Sequence, residues 1–278
     1  MSKAKQLTAK DSPLGKPTQY TGKYSPKLLV PILRRHNRSE IGIAEQLPFY
    51  GVDVWNLYEI SYLNQKGKPI AGVAQVIFPC ESAHLIESKS FKLYLNSFNQ
   101  TKFDSKEVVQ QIIEKDLSEK SGKNVEVMLF TIAEFPNQTI GTFASHCIDD
   151  LDIDIDTYHH EPKFLSTEQK IIEEKLHSNL LKSNCLITGQ PDWGSVEINY
   201  SGKKINHEGL LRYIVSFRTH NEFHEPCVER MFMDIMRYCK PDKLTVEAHY
   251  TRRGGLDICP IRSTEKDVVP NYSRLIRQ

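Results

Sequence analysis

A pattern met at residue 94 returns near residue 213, and that recurrence limits the architecture more than any other feature of the chain. Tyr94-Leu95-Asn96-Ser97-Phe98 is answered by Tyr213-Ile214-Val215-Ser216-Phe217, both of the form Tyr-x-x-Ser-Phe. Phe103 then has its counterpart in Phe223. A helix opening after Asp104 is matched by one opening at Glu225-Pro226, and Lys123-Asn124-Val125-Glu126-Val127 by Lys243-Leu244-Thr245-Val246-Glu247. The offset stays near about 120 residues, as in chains built from repeated supersecondary units. Five matching residues alone are weak; the same aromatic, helix and strand in the same order point to two related α+β halves.

Within each half the pattern reads as a ββαβ-like unit. Val52–Tyr62 and Gly72–Pro79 are rich in aromatic and β-branched residues and flank a turn-like Asn64-Gln65-Lys66-Gly67-Lys68-Pro69, which predicts a hairpin. Ser90–Phe98 reads as a further extended segment. Asp104-Ser105-Lys106-Glu107 resembles a capping box, opening a helix that Gly122 closes, and Val125–Ile132 returns as a strand. Ser166–Leu181 reads as a helix leading into a loop. Asp150–Asp156, in which Asp alternates with Leu or Ile, reads as a half-buried strand rather than a metal loop, because the glycine that calcium loops use is missing. His159 and His160 read as solvated loop residues. Residues 1–26, rich in Lys, Thr, Ser, Gly and Pro, form a flexible or draped arm; the halves are then 27–150 and 151–278.

Composition narrows the class of partner. Hydrophobic residues make up 39% and charged residues 26% of 278 positions, which is ordinary for a globular chain. Thirty-six Lys and Arg against 35 Asp and Glu give no electrostatic reason to expect nucleic acid or an anionic membrane as a direct partner. No apolar run reaches membrane-spanning length and the start lacks a signal-peptide core, so a cytoplasmic protein is expected. Six widely spaced cysteines without a Cys-x-x-Cys pair fit reduced thiols.

Chemistry concentrates in Ser183-Asn184-Cys185-Leu186-Ile187-Thr188-Gly189-Gln190-Pro191-Asp192-Trp193-Gly194, which places a thiol and a carboxylate on one short loop. A cysteine nucleophile needs a neighbouring group to move protons, and Asp192 is the candidate; a buried apolar cysteine beside an ordinary turn is the plainer alternative. His220-Asn221-Glu222-Phe223-His224-Glu225-Pro226 is not a zincin helix, since Glu comes one place late and Pro226 follows at once. It reads as a loop before a Pro-started helix, with His224 and Glu225 at the helix N-terminus. Glu87-Ser88-Lys89-Ser90-Phe91-Lys92-Leu93-Tyr94 and Thr251-Arg252-Arg253-Gly254-Gly255-Leu256-Asp257 each combine groups able to meet phosphate, and no Gly-x-Gly-x-x-Gly is present to build a Rossmann site.

Taken as a set, Glu-Ser-Lys-Ser-Phe-Lys-Leu-Tyr, Ser-Asn-Cys-x-x-Thr-Gly-Gln-Pro-Asp-Trp-Gly, Phe-His-Glu-Pro and Arg-Gly-Gly-Leu-Asp occur in the order found in the NADPH-dependent 7-cyano-7-deazaguanine reductases, the nitrile reductases of queuosine biosynthesis. The chain resembles the long, two-domain form of that family from Tyr24 to Arg277. The resemblance implies an α+β tunnelling fold: tandem ferredoxin-like halves, antiparallel sheets with helices on one face, and a homodimer. It implies NADPH as cofactor, two NADPH per nitrile, and a covalent thioimide on Cys185 with Asp192 as proton shuttle. Ile86, Glu87, Ser88, His224 and Glu225 match the family's substrate contacts, and Ser88, Lys89, Arg253 and Gly254 its NADPH contacts; no metal is implied. Two other classes are distinguishable by experiment: a zinc enzyme of cyclohydrolase type on the same fold with Cys185, His220 and His224 as ligands, and a non-catalytic nucleobase-binding or tRNA-associated module.

Overall fold

The computed structural model describes residues 11–12, 16–17, 20–136 and 140–278, so most of the expected N-terminal arm lies outside the described residues. The chain divides into two compact units. The first comprises Met1–His36, Val54–Asn137 and Arg252–Asp257, and the second Asn37–Asp53, Gln138–Thr251 and Ile258–Gln278.

In chain order the first half runs β1 (Pro31–Leu33), α1 (Arg34–Glu40), β2 (Tyr50–Leu63), β3 (Pro69–Pro79), β4 (His84–Ile86), α2 (Ser88–Asn96), α3 (Lys106–Ser121) and β5 (Glu126–Thr131). The sheet order within the first unit is β5-β3-β2. The expected hairpin is present: Asn64 Oδ1 accepts from the amides of Lys66 and Lys68, both at 3.0 Å, and so shapes the turn between β2 and β3. Along β3, Gly72, Ala74, Val76 and Phe78 are buried while Val73, Gln75 and Ile77 are half-buried, the alternation of a sheet whose helices cover one face. Ser105 caps α3 by accepting from the Val108 amide, and Gly122 ends it with φ 83°, so the helix lies where it was expected, although N3 is Val108 rather than a glutamate and the cap is the serine alone.

The second half runs β6 (Ile140–Gly141), β7 (His146–Cys147), β8 (Thr167–Ser178), β9 (Lys182–Asn184), β10 (Pro191–Ile205), α4 (His207–Ser216), α5 (His224–Tyr238), β11 (Lys243–Tyr250), β12 (Leu256–Ser263) and β13 (Arg274–Leu275). Within the second unit the order is β12-β11-β10-β8-β7, with β9 paired to β10. Among the described residues of this unit pairing is antiparallel except for two short parallel contacts, β7 with β8 and β13 with β6, and a single parallel bridge between Asn184 and Asn221. The fold is α+β.

Each half thus reads β-β-α-α-β, and the repeat runs deeper than the sequence pattern. The Tyr94 hydroxyl donates to buried Asp116 at 2.7 Å, and Tyr213, 119 positions later, donates to Asp234 at 2.8 Å. Ser97 and Ser216 each donate to the carbonyl three residues back at 2.6 Å. Each serine oxygen in turn accepts an amide at 3.1 Å, from Ser25 and Glu161. Those amides belong to matching straps, Tyr24-Ser25-Pro26-Lys27-Leu28-Leu29 and His160-Glu161-Pro162-Lys163-Phe164-Leu165. Tyr24 and His160 complete the two carboxylate clusters, each at 2.7 Å from Asp116 or Asp234. A hydrogen bond to a buried carboxylate contributes about 1.5–3 kcal/mol, so these polar clusters secure each strap to its helices.

Four expectations change. Ser90–Phe98 is not extended but lies mostly in α2. Glu87 caps that helix by accepting from Lys89 N at 2.7 Å and Ser90 N at 2.8 Å, and Phe91, Tyr94 and Leu95 bury one helical face. Ser166–Leu181 is not helical but mostly strand β8, because cross-strand pairing to β10 outweighs the helix preference of its Glu and Lys residues. Its inward positions include Glu174, half-buried and bonded to Tyr200 and His207, so the period-two signal is hidden by a polar residue on the inward face. Asp150–Asp156 alternates half-buried and exposed residues but joins no sheet. His160 is packed against Tyr213, Phe217 and His220 rather than solvated.

Candidate active site

Cys185 opens a tight loop in the second unit. Strand β9 pairs with the start of β10, Asn184 opposite Pro191 and Ser183 opposite Asp192. The Cys185 amide donates to the Gln190 carbonyl at 2.8 Å, and the Gly189 amide to the Cys185 carbonyl at 3.0 Å. Side chains in paired strands alternate between faces, so Ser183, Cys185 and Asp192 share one side of the hairpin. Their burial agrees: Ser183 is 0% exposed, Cys185 4% and Asp192 3%, whereas Trp193 is 39% exposed. The thiol and the carboxylate are thus brought to one face by a β-hairpin instead of a helix-to-loop junction.

The segment before α5 is sewn to the same hairpin. Asn184 N donates to His220 O at 2.8 Å and Glu222 N to Asn184 O at 3.1 Å, which brings the α5 N-terminus beside the Cys185 loop. His224, the first residue of α5, places Nε2 3.5 Å from Asp192 Oδ1 and stacks on Tyr250 with ring centroids 3.9 Å apart. Glu225 follows, 3% exposed. Glu222 braces the turn: Arg230 contacts both its oxygens, at 3.0 and 2.9 Å, and His220 Nε2 lies at 2.8 Å. Burial opposes the charge on Glu222, but its bonds to His220 and Arg230 outweigh that and hold its carboxyl below the ordinary value. Sequence reasoning missed Tyr250 and Arg230; an aromatic strand residue and a mid-helix arginine carry no motif of their own.

All six cysteines are free thiols. Burial pushes Cys227 and Cys239 up to about 12, which keeps both protonated near neutrality and sets them apart as structural thiols. Among the described residues no three His, Cys, Asp or Glu side chains are grouped to hold a metal ion. His220 is engaged by Glu222 and His224 by Asp192.

The first unit holds the other candidates. Ile86 is 2% exposed and Glu87 0%. Both Glu87 oxygens already accept amides of α2, each keeping a further lone pair, and burial, against those bonds, raises its carboxyl above the ordinary value. Ser88 and Lys89 begin α2, and Lys89 Nζ meets only the Tyr20 hydroxyl at 3.2 Å, with no carboxylate bonded to it among the described residues. Arg253 and Leu256 exchange backbone bonds at 2.8 and 3.2 Å around Gly254 and Gly255, at φ 59° and 79°. Positive φ at both central residues is the primed hairpin turn, which glycine adopts without strain. Glu59 pairs with Lys92 at 3.2 Å beside this turn. Cationic side chains on a helix start and a glycine turn within one unit fit the phosphates of a dinucleotide. With Glu87 already occupying the first amides of α2, the side chains rather than the helix terminus would hold them.

Comparison with known proteins accords with this arrangement. The family described as nitrile reductase, 7-cyano-7-deazaguanine-reductase N-term matches residues 20–129, and that described as QueF-like protein matches 191–268. A protein of Cupriavidus necator named NADPH-dependent 7-cyano-7-deazaguanine reductase is 55% identical over 271 residues, covering 96% of this chain and 98% of its own. A protein of the same name from Legionella pneumophila strain Lens is 54% identical over 276 residues, covering 98% and 97%. A crystal structure of the archaeosine synthase QueF-Like in the apo form aligns at 17% identity and TM-score 0.30 over 37% of this chain and 99% of that one. On the near-full-length identity and the two matched segments, the chain belongs to the 7-cyano-7-deazaguanine reductase family of nitrile reductases.

Proposed function

We propose that this chain is an NADPH-dependent oxidoreductase that reduces 7-cyano-7-deazaguanine to its 7-aminomethyl counterpart in queuosine biosynthesis, with Cys185 as covalent nucleophile. The observation that carries the mechanism is the buried hairpin face on which Cys185 and Asp192 lie together, with His224 at 3.5 Å behind the carboxylate. Cys185 Sγ adds to the nitrile carbon; one C–N π bond opens, and Asp192 carries the thiol proton to the nitrogen, leaving a thioimide. NADPH, when bound, supplies the hydrides. Asp192, oriented through His224 and reprotonated from solvent before each delivery, gives a proton to the nitrogen as each hydride reaches the carbon, and the C–S bond breaks between the two reductions, returning to Cys185 a thiolate that regains its proton from solvent. Burial of the hairpin face keeps water from hydrolysing the thioimide.

Glu225 and Glu87 are assigned to accept N–H donors of the guanine-like edge, with Ile86, Ser88 and His224 completing recognition. Ser88, Lys89, Arg253 and Gly254 are assigned to NADPH, Lys and Arg toward its phosphates. The near-neutral charge balance supports a small-molecule substrate without direct nucleic-acid binding. Among the described residues no helix is long and apolar enough to cross a membrane. A cytoplasmic homodimer completes the reading, in line with the free thiols and with the family resemblance.

The test is stoichiometric. With protein, nitrile and excess NADPH, the absorbance loss should correspond to two NADPH per nitrile and the product should be the primary amine. A ratio of one, or no oxidation, overturns the complete reduction.

A further inference from the structure

Arg252 is outside every role assigned above. Its guanidinium carbon lies 3.6 Å from the centroid of the Tyr58 ring, close enough for the planar cation to lie against the ring. Its Nε and Nη2 atoms are buried and neither has a hydrogen-bond partner. Enclosed arginines elsewhere contrast with it: Arg38 and Arg262 bond Glu229, Arg230 bonds Glu222, and Arg34 donates to Ser82 at 3.2 Å. An uncompensated cation removed from water is strongly unfavourable, so a guanidinium kept in this state marks a place where an anion belongs. Nε and Nη2 form one of the two parallel donor edges of a guanidinium, the edge that matches two oxygens of a carboxylate or phosphate.

The neighbourhood, all within the first unit, selects phosphate. The Gly254-Gly255 turn follows Arg252 directly, and Tyr58 N donates to Gly255 O at 2.9 Å, which fixes the turn against β2. A Cβ at Gly254 would come within 3.1 Å of Lys92 Nζ, so a second cation borders the same turn, paired there with Glu59 at 3.2 Å. Arg252 as a whole is half-buried, with Nε and Nη2 its enclosed part.

We propose that Arg252, held on the Tyr58 ring, receives a phosphate group of the dinucleotide through its unpaired Nε and Nη2 edge. Tyr58 is then the platform that orients the fork, and Arg252 joins Arg253 and Lys89 as a binding residue. The inference rests on the NADPH reading above and adds a residue and a contact geometry to it.

The experiment is calorimetric titration of the full chain, without nitrile, with adenosine 2′,5′-bisphosphate and with ADP. Arg252→Gln should weaken binding by about tenfold to a hundredfold, the worth of charge-assisted hydrogen bonds. Loss confined to the 2′,5′-bisphosphate assigns the contact to the 2′-phosphate of NADPH; loss with both ligands assigns it to the phosphate chain on the 5′ side. Arg252→Lys, which keeps the charge but not the fork, should restore only part of the affinity, and Tyr58→Leu should weaken binding with Arg252 intact. Unchanged melting temperatures show that the variants are folded. Affinities within twofold of the parent for both ligands in Arg252→Gln overturn the proposal while leaving the dinucleotide reading standing. If the parent chain binds neither ligand, the dinucleotide reading itself falls, and this inference with it.

Discussion

Glu229 lies one helical turn beyond Glu225 on α5 and is the best place to test how that helix is secured. Its carboxylate is 2% exposed and takes four donors: Arg38 Nη2 at 2.7 Å and Arg38 Nε at 2.9 Å, Arg262 Nε at 3.1 Å and Arg262 Nη2 at 2.9 Å. Arg262 also meets Asp53 at 2.8 Å, so among the described contacts two buried guanidiniums face two buried carboxylates. Glu229→Gln removes one negative charge and turns an amide donor toward a guanidinium donor. Breaking a buried pair from one side costs about 3–5 kcal/mol, because the remaining charge is left uncompensated. At about 2–4 °C per kcal/mol for chains approaching this length, the melting temperature should fall by roughly 6–20 °C. The comparison is Glu265→Gln at the exposed Lys243–Glu265 pair, 2.6 Å apart with Glu265 at 56% side-chain exposure, where a surface pair contributes about 0–1 kcal/mol. Scanning calorimetry and urea unfolding measure both. Equal, small shifts in the two variants would refute the idea that the buried network carries α5.

Other perturbations read different links of the account. A Cβ at Gly209 would lie 2.3 Å from Phe164 O, so Gly209→Ala should force strap and helix apart and destabilise by about 1–3 kcal/mol, seen as a lowered urea midpoint; an unchanged midpoint would show that the strap is not docked on α4. The folded Glu222 carboxyl lies below its unfolded value of about 4.3, so its contribution is fully present above that pH and is lost as pH falls through the lowered value. The stability gap between the parent chain and Glu222→Gln should therefore be flat above about pH 5 and narrow below about pH 4; a gap independent of pH contradicts the ion pairing. Asp192→Asn should slow turnover on the order of 10²-fold or more with the melting temperature little changed, whereas parallel loss of both would make Asp192 a structural turn residue.

Legibility followed physical cause. The duplication was readable because Tyr94, Ser97 and Phe98 and their later counterparts occupy equivalent positions around the ends of α2 and α4 and are buried in both halves. Helix α3 was readable because Ser105 and Gly122 are local caps whose effect needs no tertiary partner. Helix α2 was misjudged because its cap is a glutamate, a residue that also suits a solvated face, and its aromatic run suits either periodicity. Strand β8 was hidden for a different reason: its structure is set by β10, and Glu174 occupies an inward position that only Tyr200 and His207 make tolerable. At the site, Cys185 and Asp192 were legible from sequence proximity, but the hairpin register that puts them on one face was not. The stacking of His224 on Tyr250 and of Arg252 on Tyr58 joins residues 26 and 194 positions apart, a relation no local pattern records.

The central claim is a covalent bond at Cys185, and intact mass spectrometry tests it without any reduction taking place. Full-length protein incubated with 7-cyano-7-deazaguanine in the absence of NADPH should gain the mass of the whole substrate, since thiol addition to a nitrile expels nothing. Peptide mapping should place the adduct on Cys185, with Cys227 and Cys239, whose thiols burial pushes up to about 12, unmodified. Cys185→Ala should form no adduct yet still bind the nitrile, because recognition is assigned to Glu87 and Glu225. An adduct mapped to another cysteine, or normal turnover in Cys185→Ala, would contradict the assignment of this hairpin as the catalytic centre.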